Sequence, residues 1–256
     1  KEVESYRLSL DFKQLSKYMH QPRARKFVRK YKNSRKINYN MFKAVTGRLS
    51  LAPNSFPILN MPSEYRSAIQ PKNDFFVELD FNANELRVLL ALNGQEQPAE
   101  DMHDWNIKNV FRGVQSRKDA KERIFAWLYN PGSKDYLADK TYDKTSIKEK
   151  YWDGKIVTTP FGRQISADEF HALNYLIQSV SADLVFEQVY KVYKYLQGRS
   201  SKMAFIIHDS VVLDLCKEDL KDLKSIVDIF SDTKYGKFLV NVSAGKNYGD
   251  MKKRCI

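Results

Sequence analysis

The stretch from Phe75 to Leu92, FFVELDFNANELRVLLAL, changes its periodicity halfway and so decides the local fold. Its first seven residues form the apolar run of a buried strand, whereas the following NELRVLLALNG has helical spacing and ends at Asn93-Gly94. Asp80 therefore lies at the end of a strand. An ionised carboxylate is costly at such a place unless something cationic compensates it.

A second carboxylate lies in AFIIHDSVVLDL, from Ala204 to Leu215. Two short apolar runs flank the turn residues around Asp209, which predicts a strand, a tight turn and a second strand. Asp80 and Asp209 on adjacent strands could share two divalent metal ions about 4 Å apart. Their hard oxygen ligands favour Mg²⁺. The alternative, which the two positions alone favour, is that each aspartate caps a turn or pairs with a nearby Lys or Arg.

The segment RKDAKERIFAWLY has an apolar stripe and a stop at Asn130-Pro131-Gly132, so we expect a helix over residues 117–129. Two cations and two aromatic residues recur every four positions along one side of this helix: Arg117, Lys121, Phe125 and Tyr129. The cations can grip a triphosphate, and the rings can meet a sugar and a base. The alternative is a basic surface helix whose aromatic residues pack into the core.

Three further segments have helical character. Ser166 followed by Glu169 predicts a capping box at the start of a long helix that runs towards Gly198. Residues 217–230 predict one more amphipathic helix. The segment 23–36 carries eight basic residues. It is either a helix that touches a nucleic-acid backbone or a solvated helix face.

The composition limits the class of protein. At 256 residues and 43% hydrophobic residues, the chain can bury a substantial core. Its net charge of +12 favours an anionic partner, with nucleic acid the leading candidate, although many basic proteins bind none. No signal-peptide core and no apolar run of about 18 residues is visible, which predicts a soluble intracellular protein without a membrane partner. Cys216 and Cys255 have no metal-binding spacing, so we expect free thiols and no zinc.

In order and spacing, these segments resemble the conserved motifs of family A DNA polymerases. LDFNANELR is similar to motif A, RKDAKERIFAWLY to motif B and IHDS to motif C. TGRLS from Thr46, PILNMP after it, FGR from Phe161, NYLIQ from Asn174 and the terminal AGKNYGDM resemble other conserved segments of the family. The resemblance covers about residues 41–251.

The resemblance implies a template-directed DNA polymerase that uses two Mg²⁺ ions, for which Mn²⁺ could substitute. Asp80, Asp209 and the backbone carbonyl of Phe81 would hold the metal ions. Arg117 and Lys121 would bind the incoming deoxynucleoside triphosphate. Lys121 would also protonate the pyrophosphate leaving group.

Other positions of the resemblance would surround the nucleotide and the primer-template DNA. His103, in Asp-Met-His, would contact a phosphate, Phe125 would stack near the sugar, and Tyr129 would hold the template base. Glu85 would block the space of a 2′-hydroxyl, which argues for DNA synthesis and against RNA synthesis. The primer-template contacts would come from five more polar residues: Arg48, Asn60, Asn174, Gln178 and His208.

Several positions depart from the family's pattern. Ser210 stands where motif C usually has glutamate, Leu59 where glutamine is usual, and Phe170 where arginine is usual. These changes put fidelity and the grip on the primer terminus in doubt but leave both expected aspartate ligands in place. Asn130 replaces a usual glycine, and the short stretch 130–159 predicts trimmed fingers.

We therefore expect an α+β fold, with a small antiparallel palm sheet backed by helices and an inserted helical fingers subdomain. A basic segment at 1–40 could be the end of a thumb, the palm would comprise 41–95 and 161–256, and the fingers 96–160. An upstream thumb or exonuclease region, a processivity partner and a phage or organellar source stay open. The rivals are a non-catalytic primer-template binding module, an incomplete polymerase fragment and an RNA polymerase.

Overall fold

The structure is a computed structural model that describes residues 2–113, 116–130 and 132–255. The strands in these residues are β1 (Ser9–Leu10), β2 (Tyr39–Asn40), β3 (Ser50–Leu51), β4 (Ile69–Gln70), β5 (Phe75–Phe81), β6 (Ile156–Thr158), β7 (Gln164–Ser166), β8 (Lys202–Ile207), β9 (Ser210–Leu215), β10 (Asp232–Thr233), β11 (Gly236–Lys237), β12 (Val240–Gly245) and β13 (Lys252–Arg254). The α-helices are α1 (Glu2–Ser5), α2 (Pro22–Tyr31), α3 (Asn84–Leu92), α4 (Met102–Asn109), α5 (Arg117–Tyr129), α6 (Tyr136–Tyr142), α7 (Lys144–Tyr151), α8 (Glu169–Leu196) and α9 (Leu223–Ser231). Short 3₁₀ helices cover Phe12–Tyr18, Ile58–Asn60, Ser63–Ala68 and Lys217–Asp222.

An antiparallel sheet of five strands, in the order β13-β12-β5-β9-β8, forms the centre of the fold. The expected strand FFVELDF is confirmed as β5, in the middle of this sheet. Because side chains alternate along a strand, Val77, Leu79 and Phe81 pack into one core, against α3, α8 and α9. Phe76 faces a second core on the other side of the sheet. Asp80 lies four residues after Phe76 on β5, so its side chain points to the same side of the sheet as Phe76.

The expected hairpin around Asp209 is also confirmed. Ile207 of β8 pairs with Ser210 of β9, which leaves His208 and Asp209 as a two-residue turn. His208 has a φ of +48° and sits in the left-handed region. The carbonyl oxygen of Asp209 accepts a hydrogen bond from the backbone N–H of Phe81 at 3.5 Å. The turn therefore lies against the end of β5.

One prediction about a helix start is wrong, and a second is confirmed except for the type of its first turns. The long helix α8 begins at Glu169, and its N-cap is Asp168, whose side chain accepts a hydrogen bond from the backbone N–H of His171. Ser166 does not form the capping box, because it pairs with Ile156 in the β6-β7 hairpin. The helix expected over 217–230 begins as a 3₁₀ helix and becomes α-helical only at Leu223.

The second core joins the N-terminal segment to the sheet. Buried residues of the first forty positions pack with Phe56, Tyr65, Phe76 and Phe205: Tyr6, Leu8, Leu15, Ala24 and Ile37. Within the basic segment 23–36, α2 accounts for the positions up to Tyr31. Segment 1–40 is thus part of the packed molecule wherever the structure describes it.

Helices α4 to α7 fill most of the region between α3 and the β6-β7 hairpin. The helix predicted over 117–129 is confirmed as α5, and its buried stripe consists of Ala120, Ile124, Trp127 and Leu128. Pro131 of the predicted helix stop lies outside the described residues. In the part of the chain that the structure describes, no helix combines the length and apolar character that a bilayer crossing requires.

Candidate nucleotidyl-transfer site

A small cleft at the end of the central sheet brings Asp80 and Asp209 together. Asp80 pairs in register with Ser210 on one neighbouring strand and Asn241 on the other. The cleft measures about 300 Å³ and is lined by residues of β5, the β8-β9 turn, β12 and two flanking segments: Arg66, Glu78, Asp80, Ile207, His208, Asp209, Ser210, Asn241, Ser243 and Tyr248.

Negative charge is poorly compensated at Asp80. Burial raises the pKa of its carboxyl to about 7, an amide hydrogen bond from Asn241 at 3.4 Å opposes the rise, and the carboxylates of Glu78 and Asp209 add to it. Burial is the largest cause of the raised pKa, and the two neighbouring carboxylates contribute less. Among the described residues, the side chain that bonds to the Asp80 carboxylate is the amide of Asn241, and no Lys or Arg pairs with it.

The donor set fits a hard divalent cation that is completed from outside the protein. Among the described residues, no group of three or more Asp, Glu, His or Cys side chains is arranged to hold a metal ion. Mg²⁺, however, is commonly held by one or two carboxylates, with water and substrate phosphates completing its octahedron. Asp80 and Asp209 match that requirement.

Glu78 is a third carboxylate in this cleft, and the predicted site residues did not include it. It precedes Asp80 by two residues and therefore points from the same face of β5. Its Oε1 accepts a hydrogen bond from the Ser210 hydroxyl at 2.9 Å. The spacing of two residues between Glu78 and Asp80 in a strand-like run could have predicted that both carboxylates face the same cleft.

Glu85, on the first turn of α3, forms an ion pair with Arg48. Burial raises the pKa of Glu85, Arg48 opposes the rise, and Asp209 adds to it. Glu85 therefore lies within electrostatic range of the cleft. The sequence predicts that Arg48 contacts the primer-template and that Glu85 faces the nucleotide sugar, but in the structure the two side chains pair with each other.

The side chains of α5 line up as the four-residue spacing predicts. The Lys121 Nζ lies 5.9 Å from the ring centroid of Phe125, and the rings of Phe125 and Tyr129 stack at 5.8 Å with an interplanar angle of 8°. Phe125 is half-buried, and Tyr129 is 38% exposed. Phe125 packs against the main core from its half-buried position, as the alternative expected, whereas Tyr129 is more exposed.

His103 packs next to Phe125 of α5. It is buried, with its ring centroid 5.9 Å from that of Phe125, and its Nδ1 has no hydrogen-bond partner among the described residues. Burial lowers the pKa of His103. Asp101 opposes that change, while Arg117 and Lys121 add to it. A neutral imidazole is therefore expected at pH 7, and it would meet a phosphate as a hydrogen-bond donor only.

Arg117 is linked to the end of β5 through Asp101. Its guanidinium donates to both carboxylate oxygens of Asp101, at 3.1 and 2.7 Å, and the amide of Asn82 donates to the same carboxylate at 2.7 Å. Asn82 follows Asp80 by two residues. This connection links the start of α5 to the segment that follows β5, and no local sequence pattern predicted it.

The expected primer-template residues do not form one group. His208 lines the carboxylate cleft, whereas Asn174 lines a separate cleft of about 340 Å³ with Tyr129 and Phe170. Asn60 is exposed at the end of a 3₁₀ helix. Gln178 is half-buried on α8. Phe81 stacks on Phe230 at 4.5 Å between ring centroids, and the role expected of its carbonyl stays a prediction.

Comparison with known proteins identifies relatives. DNA polymerase I of Borreliella burgdorferi is 22% identical over 279 residues, DNA polymerase I of Aquifex aeolicus 26% over 275, and the DNA polymerase of Mycobacterium phage D29 25% over 220. The alignments cover 86%, 89% and 70% of this chain but only 31%, 47% and 35% of those relatives. The chain thus spans less than half of the length of these proteins. No protein-family model matches it.

A solved structure has the same fold. The POL domain of Pol1 from M. smegmatis, in complex with DNA primer-template and dNTP, superposes with a TM-score of 0.73 at 17% identity. The superposition covers 92% of this chain and 53% of that one. The expected α+β palm architecture is confirmed by this match.

Proposed function

We propose that this chain, a divergent relative of DNA polymerase I and of phage DNA polymerases, extends the 3′ end of a DNA primer on a template. The observation that carries the proposal is the connection from Asp80 through Asn82 and Asp101 to Arg117. It connects the start of α5, which we propose binds phosphate, to the end of β5 that carries Asp80, and nucleotidyl transfer needs phosphate-binding cations near metal-binding carboxylates.

In this proposal the cleft is the reaction centre. Asp80, Asp209 and the carbonyl of Phe81 would hold two Mg²⁺ ions, with Mn²⁺ as a substitute. When bound, these ions would lower the pKa of the primer 3′-hydroxyl and neutralise charge on the leaving oxygen. Ionised carboxylates are required for this, so a pKa of about 7 at Asp80 favours metal loading above neutral pH.

The cations of α5 act on the triphosphate. Arg117 and Lys121 bind its oxygens, and Lys121 donates a proton to the pyrophosphate as the bond to the α-phosphorus breaks. His103 supports this grip as a neutral donor. Phe125 and Tyr129, stacked on one another, offer flat surfaces to the sugar and the template base.

Glu85 selects the sugar. Its carboxylate is largely buried and held by Arg48, so it cannot easily move aside for a 2′-hydroxyl. Arg48, Asn60, Asn174, Gln178 and His208 are proposed to contact the primer-template duplex. Residues 96–160 would act as fingers on a palm formed by 41–95 and 161–256, with segment 1–40 packed behind the palm.

Primer extension by purified full-length protein tests the proposal. With Mg²⁺, we expect incorporation of the correct deoxynucleotide, and a loss on the order of 10³-fold in Asp209→Asn, because several kcal/mol of charge stabilisation is removed. Asp228→Asn is the matched control, since this carboxylate pairs with Lys237 away from the cleft. Full activity in Asp209→Asn would overturn the mechanism.

Two comparisons separate the rivals. A non-catalytic binding module would bind primer-template DNA but would not gain affinity for the correct deoxynucleotide on addition of metal. An RNA polymerase would incorporate ribonucleotides whether or not Glu85 is present. We expect ribonucleotide incorporation to rise in Glu85→Ala and to be low in the unaltered protein.

A further inference from the structure

We propose that Asp101 is a positioning residue that orients the guanidinium of Arg117 for the triphosphate, an inference that rests on the proposed function. Asp101 does not touch substrate in this proposal. It acts through Arg117, and its effect should appear in nucleotide affinity.

The geometry is a planar, two-point ion pair. Nε and Nη2 of Arg117 donate to Oδ1 and Oδ2 of Asp101 at 3.1 and 2.7 Å. This uses two of the five N–H donors of the guanidinium and leaves the others for phosphate oxygens. The Arg117 side chain is half-exposed, whereas that of Asp101 is 18% exposed. The arginine is thus held from its protein side and open on its solvent side.

Asp101 is itself rigidly held. Asn82 donates to its Oδ2 at 2.7 Å, and the backbone N–H groups of His103 and Asp104 donate to its Oδ1 at 2.9 and 3.3 Å. Burial opposes ionisation of Asp101, but the hydrogen bonds from Arg117, Asn82 and His103 outweigh it and hold its pKa well below its usual range. The carboxylate is therefore fully charged at working pH.

The loop before Asp101 is fixed by Arg87, a completely buried arginine on α3. Its guanidinium donates to the carbonyl oxygens of Asn82, Pro98 and Glu100, each at 2.8 Å. Because of these bonds, the position of Asp101 follows that of α3 and the end of β5. The position of Arg117 is consequently fixed relative to β5, which carries Asp80, and α3, which carries Glu85.

A pre-ordered arginine binds phosphate more tightly than a free one. An arginine side chain loses rotamer freedom when it is immobilised, and this loss subtracts from affinity. Asp101 imposes that ordering before nucleotide arrives. The arrangement parallels the outer partners of metal-ligating histidines, whose removal typically weakens binding by about 10- to 100-fold.

The chain offers a matched control on the other side of α5. Asp135 is also an N-cap, accepting from the backbone N–H groups of Leu137 and Ala138, and it also forms an ion pair with an arginine of α5, Arg123, at 2.5 Å. Arg123 packs over the ring of Phe111 at 4.2 Å and has no proposed role in nucleotide binding. Asp135→Asn therefore removes the same kind of pair without touching the proposed site.

The test is nucleotide affinity in Asp101→Asn. Asparagine caps a helix about as well as aspartate, so this variant retains the cap of α4 and removes the charge that holds Arg117. Affinity for the correct deoxynucleoside triphosphate would be measured on a dideoxy-terminated primer-template, and KM and kcat by primer extension. In Asp101→Asn we expect nucleotide affinity to fall and KM to rise, each on the order of 10-fold, while kcat stays within about 3-fold of the unaltered protein. In Asp135→Asn we expect nucleotide affinity and KM to stay unchanged.

A double-mutant cycle makes the assignment specific. If Asp101 acts through Arg117, adding Asp101→Asn to Arg117→Ala should cause no further loss of affinity. Unchanged or tighter nucleotide binding in Asp101→Asn would overturn the proposal, as would an equal loss in Asp135→Asn. If the unaltered protein binds nucleotide but does not extend the primer, polymerase function fails while the positioning role stands. If it binds no nucleotide, both fail.

Discussion

The carboxyl of Asp80 gives the metal-free protein a pH-dependent stability. Its pKa is about 7 in the folded protein instead of the ordinary 3.8. Between these two values the folded protein holds a proton that the unfolded chain has released, so stability falls as pH rises from about 4 to 7. Above pH 7, Asp80 is ionised in both states, and the burial of its charged carboxylate lowers the free energy of unfolding by its full amount.

We therefore expect Asp80→Asn to be more stable than the unaltered protein at pH 8 in EDTA. The rise of the Asp80 pKa from 3.8 to about 7 corresponds to at most about 4 kcal/mol, and partial exposure reduces this to roughly 1–2 kcal/mol. The gain should vanish near pH 4. Urea unfolding at pH 4, 6 and 8 measures it, and a gain that is independent of pH would contradict this explanation.

Gly47 has a positive φ and lies close to the end of the Arg163 side chain. Its φ is +77°, and an added Cβ would lie 2.5 Å from Nη2 of Arg163, which is paired with Asp183 at 2.5 Å. We expect Gly47→Ala to lower the free energy of unfolding by about 1–3 kcal/mol because of backbone strain. The added methyl group should also displace the Arg163 side chain.

Gly94→Ala is the control for Gly47. Gly94 has a similar φ of +70°, but nothing lies within 4 Å of an added Cβ. Thermal unfolding should show a larger loss in Gly47→Ala than in Gly94→Ala, and Arg163→Ala should remove most of the difference. Equal losses in the two alanine variants would mean that the contact with Arg163 carries no energy.

At the scale of elements, β5, α3, α5 and the β8-β9 hairpin were predictable, because their apolar periodicity is strong and local. The cap of α8 was not, since pairing of Ser166 with Ile156 depends on a hairpin that spans 11 positions. The role of Asp101 could not be predicted from the sequence either, because its contacts are also distant in sequence. Its partner Arg117 is 16 residues away, and Asn82 is 19 residues away, so neither contact leaves a helical or strand-like spacing.

Strands β5 and β9 together determine how much negative charge the cleft holds. Glu78 on β5 accepts a hydrogen bond from Ser210 on β9, the position where the motif C that this segment resembles usually has glutamate. We expect Glu78→Ala to weaken Mn²⁺ binding several-fold, because a carboxylate near the cation adds attraction even without direct ligation. Binding can be measured by electron paramagnetic resonance without primer or nucleotide.

Moving the carboxylate across the strand pair tests whether its charge is what matters. The double variant Glu78→Ala, Ser210→Glu should recover most of the Mn²⁺ affinity, since Ser210 is directly opposite Asp80 in the register. Asp74→Asn, just before β5 and outside the cleft, is the control. If the double variant binds no better than Glu78→Ala, charge alone is not the cause.

At the scale of the whole molecule, the central sheet joins two cores and should make them unfold together. Phe76 belongs to one core, and its neighbours Val77 and Leu79 belong to the other. Asp214 on β9 anchors the N-terminal segment to this sheet. It is almost completely buried and accepts hydrogen bonds from the Tyr6 hydroxyl at 2.7 Å and the backbone N–H groups of Lys72 and Asn73, both at 3.0 Å.

Tyr6→Phe should consequently destabilise the whole protein and not the N-terminal segment alone. Removing the hydroxyl leaves a buried carboxylate with one donor fewer, a loss of about 1–3 kcal/mol. Tyr195→Phe, which removes a phenol-carboxylate bond to Asp222 at a half-buried site, should cost less. Urea unfolding followed by tyrosine fluorescence and by circular dichroism should give coincident transitions in both variants. A separate early transition in Tyr6→Phe would show that residues 1–40 unfold independently of the palm sheet.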